Sequence, residues 1–146
     1  VKARIGVVVS RFNAEITSKL RDHCLKTLRD NGIAPKRLRV IEVHGGYELA
    51  WAVQELALSK RYGVLIALGC ILKGSTPQND HIARSTIQQL HRVALTTRVP
   101  VILGVITPNT WAQAVARTKG ALDRGKEAAL AALEMLAVRE ELSHGA

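Results

Sequence analysis

Apolar and polar positions follow two alternating rhythms along this chain. Four short runs, 4–9, 38–43, 64–68 and 101–106, are dense in Val, Ile and Leu and read as strands. Between them apolar residues recur every three or four positions, the rhythm of a helix. Ile16, Leu20, Cys24 and Leu28 predict a first helix over 14–30, with Asn13 as N-cap and Gly32 just past its end. Leu49, Ala52, Val53, Leu56 and Ala57 predict a second over 47–60. A third starts at Thr76 or Pro77 and runs to Thr97, carrying Ile82, Ala83, Thr86, Ile87, Leu90, Val93 and Ala94 on one face. A short fourth covers 110–117, and a Gly-containing kink at 118–125 leads to a fifth over 126–141 with Leu130, Leu133, Leu136 and Ala137.

Strands alternating with helices imply right-handed βαβ units. The expected fold is a three-layer α/β/α sandwich with a four-stranded parallel, flavodoxin-like sheet, and residues 1–146 are expected to form a single domain. Runs 64–68 and 101–106 are almost continuously apolar, as strands covered on both faces should be. The Ala-rich last helix has more apolar residues than one sheet face needs, which suggests contact with another subunit.

Each strand run ends in a turn rich in Gly, Asn, Ser or Thr. The turns read Ser-Arg-Phe-Asn at 10–13, His-Gly-Gly-Tyr-Glu at 44–48, Gly-Cys-Ile-Leu-Lys-Gly-Ser-Thr at 69–76 and Thr-Pro-Asn-Thr at 107–110. In an open parallel sheet these are the carboxyl ends of the strands, where ligands bind. Four separate segments thus aim polar residues at one edge, the arrangement of a small-molecule site.

Composition narrows the classes. The chain has 146 residues, enough for one domain with a sizeable core. No apolar run approaches the ~18 residues that span a bilayer, and the apolar start is too short for a signal peptide. No membrane partner and a cytoplasmic location are therefore expected. Cys24 and Cys70 read as buried thiols of a reducing compartment, although a pair is possible. No Cys/His spacing suits zinc, so no metal is expected. The net charge of +9 fits nucleic acid, an anionic surface or a phosphorylated substrate. Lys19, Arg21, Lys26, Arg29, Lys36, Arg37, Arg39, Lys60, Arg61, Arg92 and Arg98 are scattered and not interleaved with aromatics. They read as solvated faces, and nucleic acid is not expected as the primary partner.

Within the turns, Gly74 allows close backbone approach, and Ser75 and Thr76 sit where a helix N-terminus favours an anion. The plainer reading is Thr76 as N-cap with Pro77 at the first helical position. Arg117, Lys119 and Arg124 offer cations for a phosphate or merely complement a helix end. Phe12, the only phenylalanine, lies in a turn, either to stack on a planar ring or to staple the first helix. Glu48 complements a helix dipole or accepts from a ligand. Ser75 and Gln78 have capping-box spacing. His81 alone reads more readily as an ordinary surface or core histidine than as a catalyst.

Taken together these segments resemble the 6,7-dimethyl-8-ribityllumazine synthases of riboflavin synthesis. The resemblance rests on Val-Val-Ser-Arg-Phe-Asn at 8–13, Gly-Gly-Tyr-Glu-Leu at 45–49 and Ala-Leu-Gly-Cys-Ile-Leu-Lys-Gly-Ser-Thr-Pro at 67–77. It continues through Val-Pro-Val-Ile-Leu-Gly-Val-Ile-Thr at 99–107, Gln-Ala-Val-Ala-Arg at 113–117 and Glu-Ala-Ala-Leu-Ala-Ala-Leu-Glu-Met at 127–135. Each piece alone is weak, but their order and spacing are highly specific.

The resemblance implies condensation of 5-amino-6-(D-ribitylamino)uracil with 3,4-dihydroxy-2-butanone 4-phosphate, without a cofactor. It implies that Phe12 stacks on the pyrimidine, with Asn13 beside it. Gly46, Tyr47 and Glu48 would hold the ribityl chain, and the backbone at Cys70, Ile71 and Leu72 would read the uracil edge. Ser75, Thr76, Arg117 and Arg124 would bind phosphate. It also implies a homo-oligomer built from pentamers (pentamer, decamer or sixty-subunit shell), with the site between neighbours and Leu103 supplied by the adjacent chain.

Departures from the family pattern bear on rate. Gln78 stands where the family has its acid–base histidine, and glutamine cannot titrate. Such a loss typically costs ~10²–10⁴-fold. Asn79 replaces an aromatic, Leu103 a phenylalanine, His44 and Ala50 prolines, and Arg124 a lysine; the kink before Gly125 is one residue short. Proximity, which can supply ~7–11 kcal/mol, is left intact. His81, one turn beyond Gln78, is the substitute candidate. The expectation is a slowed synthase with Gln78, His81 and Arg117 at its catalytic centre. The alternatives are a diverged ligand binder of the same fold and a shell-forming container protein.

Overall fold

The computed structural model describes residues 3–74 and 76–145. Its four strands, β1 (Arg4–Ser10), β2 (Leu38–Val43), β3 (Tyr62–Cys70) and β4 (Val101–Ile106), form one parallel sheet in the order β2-β1-β3-β4. Val7 lies beside Val40 on one side and Ile66 on the other, and Ile66 lies beside Ile102. Every residue of β3 is buried, as its unbroken apolar run predicts. The flavodoxin-like expectation holds.

Five helices cover the sheet: α1 (Ala14–Asp30), α2 (Leu49–Leu58), α3 (Pro77–Thr97), α4 (Trp111–Ala116) and α5 (Arg124–Ser143). One core joins alternate strand residues Val7, Val64 and Ile66 to Leu20 and Cys24 of α1 and Ala129 and Ala132 of α5. The opposite core joins Val8, Leu65 and Ala67 to Val53 of α2 and Leu90 of α3. Period-two alternation in the strands thus sends successive side chains to different helix layers. The small residues of α5 serve close packing: a Cβ at Gly125 would collide with the backbone carbonyl of Leu20. The same helix leaves Leu130, Val138 and Leu142 exposed.

Local signals fixed most boundaries. Past α1, Gly32 at φ 88° donates to Arg29 O and Ile33 donates to Leu28 O, a Schellman closure. The start of α5 differs from expectation. Asp123 accepts from Gly125 N and Lys126 N, so the helix opens at Arg124 and not at Lys126. Arg124 is therefore a first-turn residue and not part of a kink. Similarly, residues 46–48 form a 3-10 turn before α2 begins at Leu49.

Candidate functional site

The strand order reverses direction at β1, whose neighbours β2 and β3 are reached by crossovers on opposite faces of the sheet. Such a switch point opens a crevice at the carboxyl ends of the strands. Here the crevice is bridged by one side chain. Asn13, at φ 62°, has the N-cap position of α1 but makes no cap hydrogen bond; its Nδ2 donates instead to Cys70 O at 2.9 Å. Left-handed backbone is tolerated better by Asn than by most residues. The capping role expected for this side chain is thus replaced by a tie between β1 and the segment after β3.

The loop after β2 folds over this crevice. Phe12 N donates to His44 O at 3.0 Å, and Gly45 N donates to the Glu48 carboxylate at 2.9 Å. Glu48 therefore fixes its own loop, with its remaining lone pairs left for other donors. Gly46 packs so tightly on Ile71 that a Cβ there would come within 2.8 Å of Ile71 Cδ1, and Gly46 O accepts from Thr86 Oγ1 at 3.2 Å. Phe12 is 63% exposed and Tyr47 72%. That exposure argues against Phe12 as a staple buried on α1, and it leaves the ring face open beside the loop.

The third turn continues β3 beyond its last paired residue. Ile71 N donates to Ile106 O at 2.9 Å and Lys73 N to Pro108 O at 2.8 Å. Pro108 has no N–H, so the bond it would return to Ile71 O is missing and the ladder stops there. Leu72 O accepts from Asn79 Nδ2 at 2.6 Å. Asn79 thus pins this turn to α3. Leu72 N–H has no partner among the described residues. Gly74 takes φ 89°, a conformation that suits glycine. Thr76 occupies the N-cap position of α3 without a side-chain bond, and Pro77 follows it at N1. Ser75, and with it the Ser75–Gln78 capping box, lies outside the described residues. Gln78 and His81 are both exposed on the first turns of α3.

A second group of candidates sits elsewhere. Leu103, on edge strand β4, is 49% exposed and shares a small hollow of about 50 Å³ with Arg124 and Glu127 of α5. Arg117 closes α4, and its carbonyl accepts from Arg124 N at 2.9 Å. Its Nη1 is buried and has no hydrogen-bond partner among the described residues. His23 Nδ1 of α1 lies 2.9 Å from Asp123 Oδ2, so the segment between the two arginines runs against α1. No hydrogen bond or ion pair among the described residues joins Leu103, Arg117 or Arg124 to Phe12, Glu48 or the third turn.

Two groups went unnoticed in the sequence. Ser10 Oγ is buried and unpartnered at the end of β1, against Gly69. Thr86 falls in the apolar stripe of α3, and a polar residue amid a buried stripe is the sign in the sequence of its hydrogen bond. Both cysteines are buried and free, so no pair forms. Burial, and then the Asp123 charge, pushes the Cys24 thiol up to about 12; burial alone pushes Cys70 up to about 11.

Comparison with known proteins gives one consistent result. A family model described as 6,7-dimethyl-8-ribityllumazine synthase matches residues 2–140. A protein of that name from Protochlamydia amoebophila is 36% identical over 143 residues, covering 97% of this chain and 83% of the relative. Its namesake from Phocaeicola vulgatus is 36% identical over 140 residues, covering 95% and 83%. Another from Thermosynechococcus vestitus is 35% identical over 143 residues, covering 95% and 80%.

Proposed function

The chain belongs to the 6,7-dimethyl-8-ribityllumazine synthase family, and on that premise we propose that it condenses 5-amino-6-(D-ribitylamino)uracil with 3,4-dihydroxy-2-butanone 4-phosphate, releasing phosphate and water. It is a transferase of riboflavin biosynthesis. Phe12 stacks on the pyrimidine. Leu72 N–H and the second lone pairs of the Cys70 and Leu72 carbonyls read its polar edge, while Gly46, Tyr47 and Glu48 hold the ribityl chain. Thr76, Ser75, Arg117 and Arg124 bind the phosphate.

One observation carries this reading: Arg117 Nη1 is buried and unpartnered. A guanidinium cannot shed its charge, so a buried N–H of this kind calls for an anion. The reaction's leaving group supplies one. Arg117 then has a differential task, since charge on the departing phosphate grows as its C–O bond breaks.

Among the described residues the candidates fall into two groups with no hydrogen bond or ion pair between them, which supports a site completed by a second copy of the chain. Phe12, Glu48 and the third turn of one copy would face Leu103, Arg117 and Arg124 of the next, in a pentamer-type ring. Trp51, Leu103 and Leu122 are exposed apolar residues that such contacts would cover.

Proton transfers run without a titratable side chain at 78. Water relays them, and orientation of the two substrates carries most of the rate. The substitutions at Gln78, Asn79 and Leu103 favour one competing reading, a ring-binding relative without turnover. The deciding experiment follows lumazine absorbance with both substrates against an enzyme-free control. Turnover above background that collapses in Arg117→Ala establishes the synthase. Background rates from both the native chain and Gln78→His would leave the binder.

A further inference from the structure

The opposite edge of the sheet carries a second concave surface. A cavity of about 1010 Å³ opens at the amino ends of the strands, between the start of β1, the approach to β3 and the last turns of α5. Volumes of ~300–1,000 Å³ are usual for small-molecule sites. Five cationic side chains line it, Arg4, Arg37, Lys60, Arg61 and Arg139, against the single carboxylate of Glu140. Basic residues scattered along the sequence are gathered here by the fold: Lys60 and Arg61 are solvated, as expected of them, and share the cavity wall with Arg4, Arg37 and Arg139.

None of the five takes part in an ion pair among the described residues; the pairs lie at Arg21, His23, Lys26 and Arg124. Arg37 donates to Ala3 O at 3.0 and 2.9 Å, and Arg139 Nη1 donates to Tyr62 O and Gly63 O at 3.2 and 2.8 Å. Those bonds orient the guanidinium groups without neutralising them. Arg4 lies over the Tyr62 ring at 5.7 Å. Tyr62 is only 3% exposed, and both its Oη and Arg4 Nε are buried without a partner. Concave walls that carry one sign of charge focus the field and concentrate counter-ions.

We propose that this cavity is a binding site for a multivalent phosphate anion, distinct from the site at the carboxyl edge. A single carboxylate would answer one of five cations. Several linked phosphates answer most of them, and planar guanidinium forks suit phosphate oxygens. The strands place it ~20 Å from the carboxyl edge, given ~3.3 Å per residue. It does not depend on the reaction assigned there.

The test is calorimetric titration of the full chain with inorganic tripolyphosphate, with orthophosphate as comparator. Saturable binding that is tighter than orthophosphate, and that weakens steeply between low and physiological salt, is expected. Lys60→Asn with Arg61→Gln should weaken it at least tenfold. Both residues are exposed, and asparagine suits the left-handed backbone at Lys60, φ 61°. Arg4→Met should also weaken it, and lumazine formation by the Lys60/Arg61 double variant should be unchanged. Adding ATP in place of tripolyphosphate reports whether a base and ribose add to the same phosphate chemistry; competition between the two supports one shared site. Absence of saturable binding overturns the proposal. So does undiminished binding in the double variant, or binding abolished by Arg117→Ala.

Discussion

Asn13 Nδ2 and Cys70 O, 2.9 Å apart, join the ends of β1 and β3 at the point where the strand order reverses. The bond fixes the turn that carries Phe12 against the turn that carries Leu72. Asn13→Gly keeps the left-handed backbone accessible while deleting the amide. It should cost about 1 kcal/mol in denaturant unfolding and raise KM for the uracil substrate. Asn13→Ala should cost about 1–2 kcal/mol more, because alanine resists a positive φ. Equal stabilities for the two variants would mean that backbone conformation contributes nothing here.

Gly125 is the contact point of α5 on α1. Gly125→Ala places a methyl group into the Leu20 carbonyl. Backbone cannot yield as a side-chain tip does, so a loss of about 1–3 kcal/mol or more is expected in the unfolding free energy. A methyl tolerated without loss would show that the helices slide freely.

Both thiols are held protonated by burial. Cys24 has a folded pKa of about 12 and Cys70 of about 11, against 9.0 for the free group. The folded chain therefore binds more protons than the unfolded chain between pH 9 and those values, and stability falls as pH rises through that window. Below pH 9 the contribution is fully present. Thiol labelling at pH 8 should be slow in the folded protein and fast in denaturant. Cys24→Ala should flatten the alkaline loss of stability measured from pH 9 upward.

Position 78 offers a gain-of-function test. Gln78→His places a titratable group on the exposed first turn of α3, one position past Pro77 and beside the third turn. Turnover should rise by ~10-fold or more near neutral pH, with little change in KM for either substrate. An unchanged kcat would place the slow step outside proton transfer.

The strands and helices were legible because local patterns agreed with the final packing. Leu38–Val43, Val101–Ile106 and α1 fall where the apolar rhythm puts them. The start of α5 lies two residues before the point its apolar rhythm marks, because the Asp123 side chain caps it. Phe12, Glu48 and Arg117 could be named from motifs. That Asn79 anchors Leu72, or that Thr86 bonds to Gly46, depends on side chains meeting across elements, which spacing along a chain does not encode. The amino-edge cavity was hidden for the same reason: Arg4, Arg37, Arg61 and Arg139 become neighbours only once the sheet forms.

Phe12 and Arg117 belong to groups that no hydrogen bond or ion pair connects among the described residues of one chain. If each working site draws one group from either of two copies, its defects are not private to the mutated subunit. Chains carrying Phe12→Ala and chains carrying Arg117→Ala, each inactive alone, should recover activity when refolded together. Random mixing in a ring leaves about one quarter of the interfaces with both halves intact. Mutations in this protein would then sort into two complementation groups, and those groups would trace the two sides of the site.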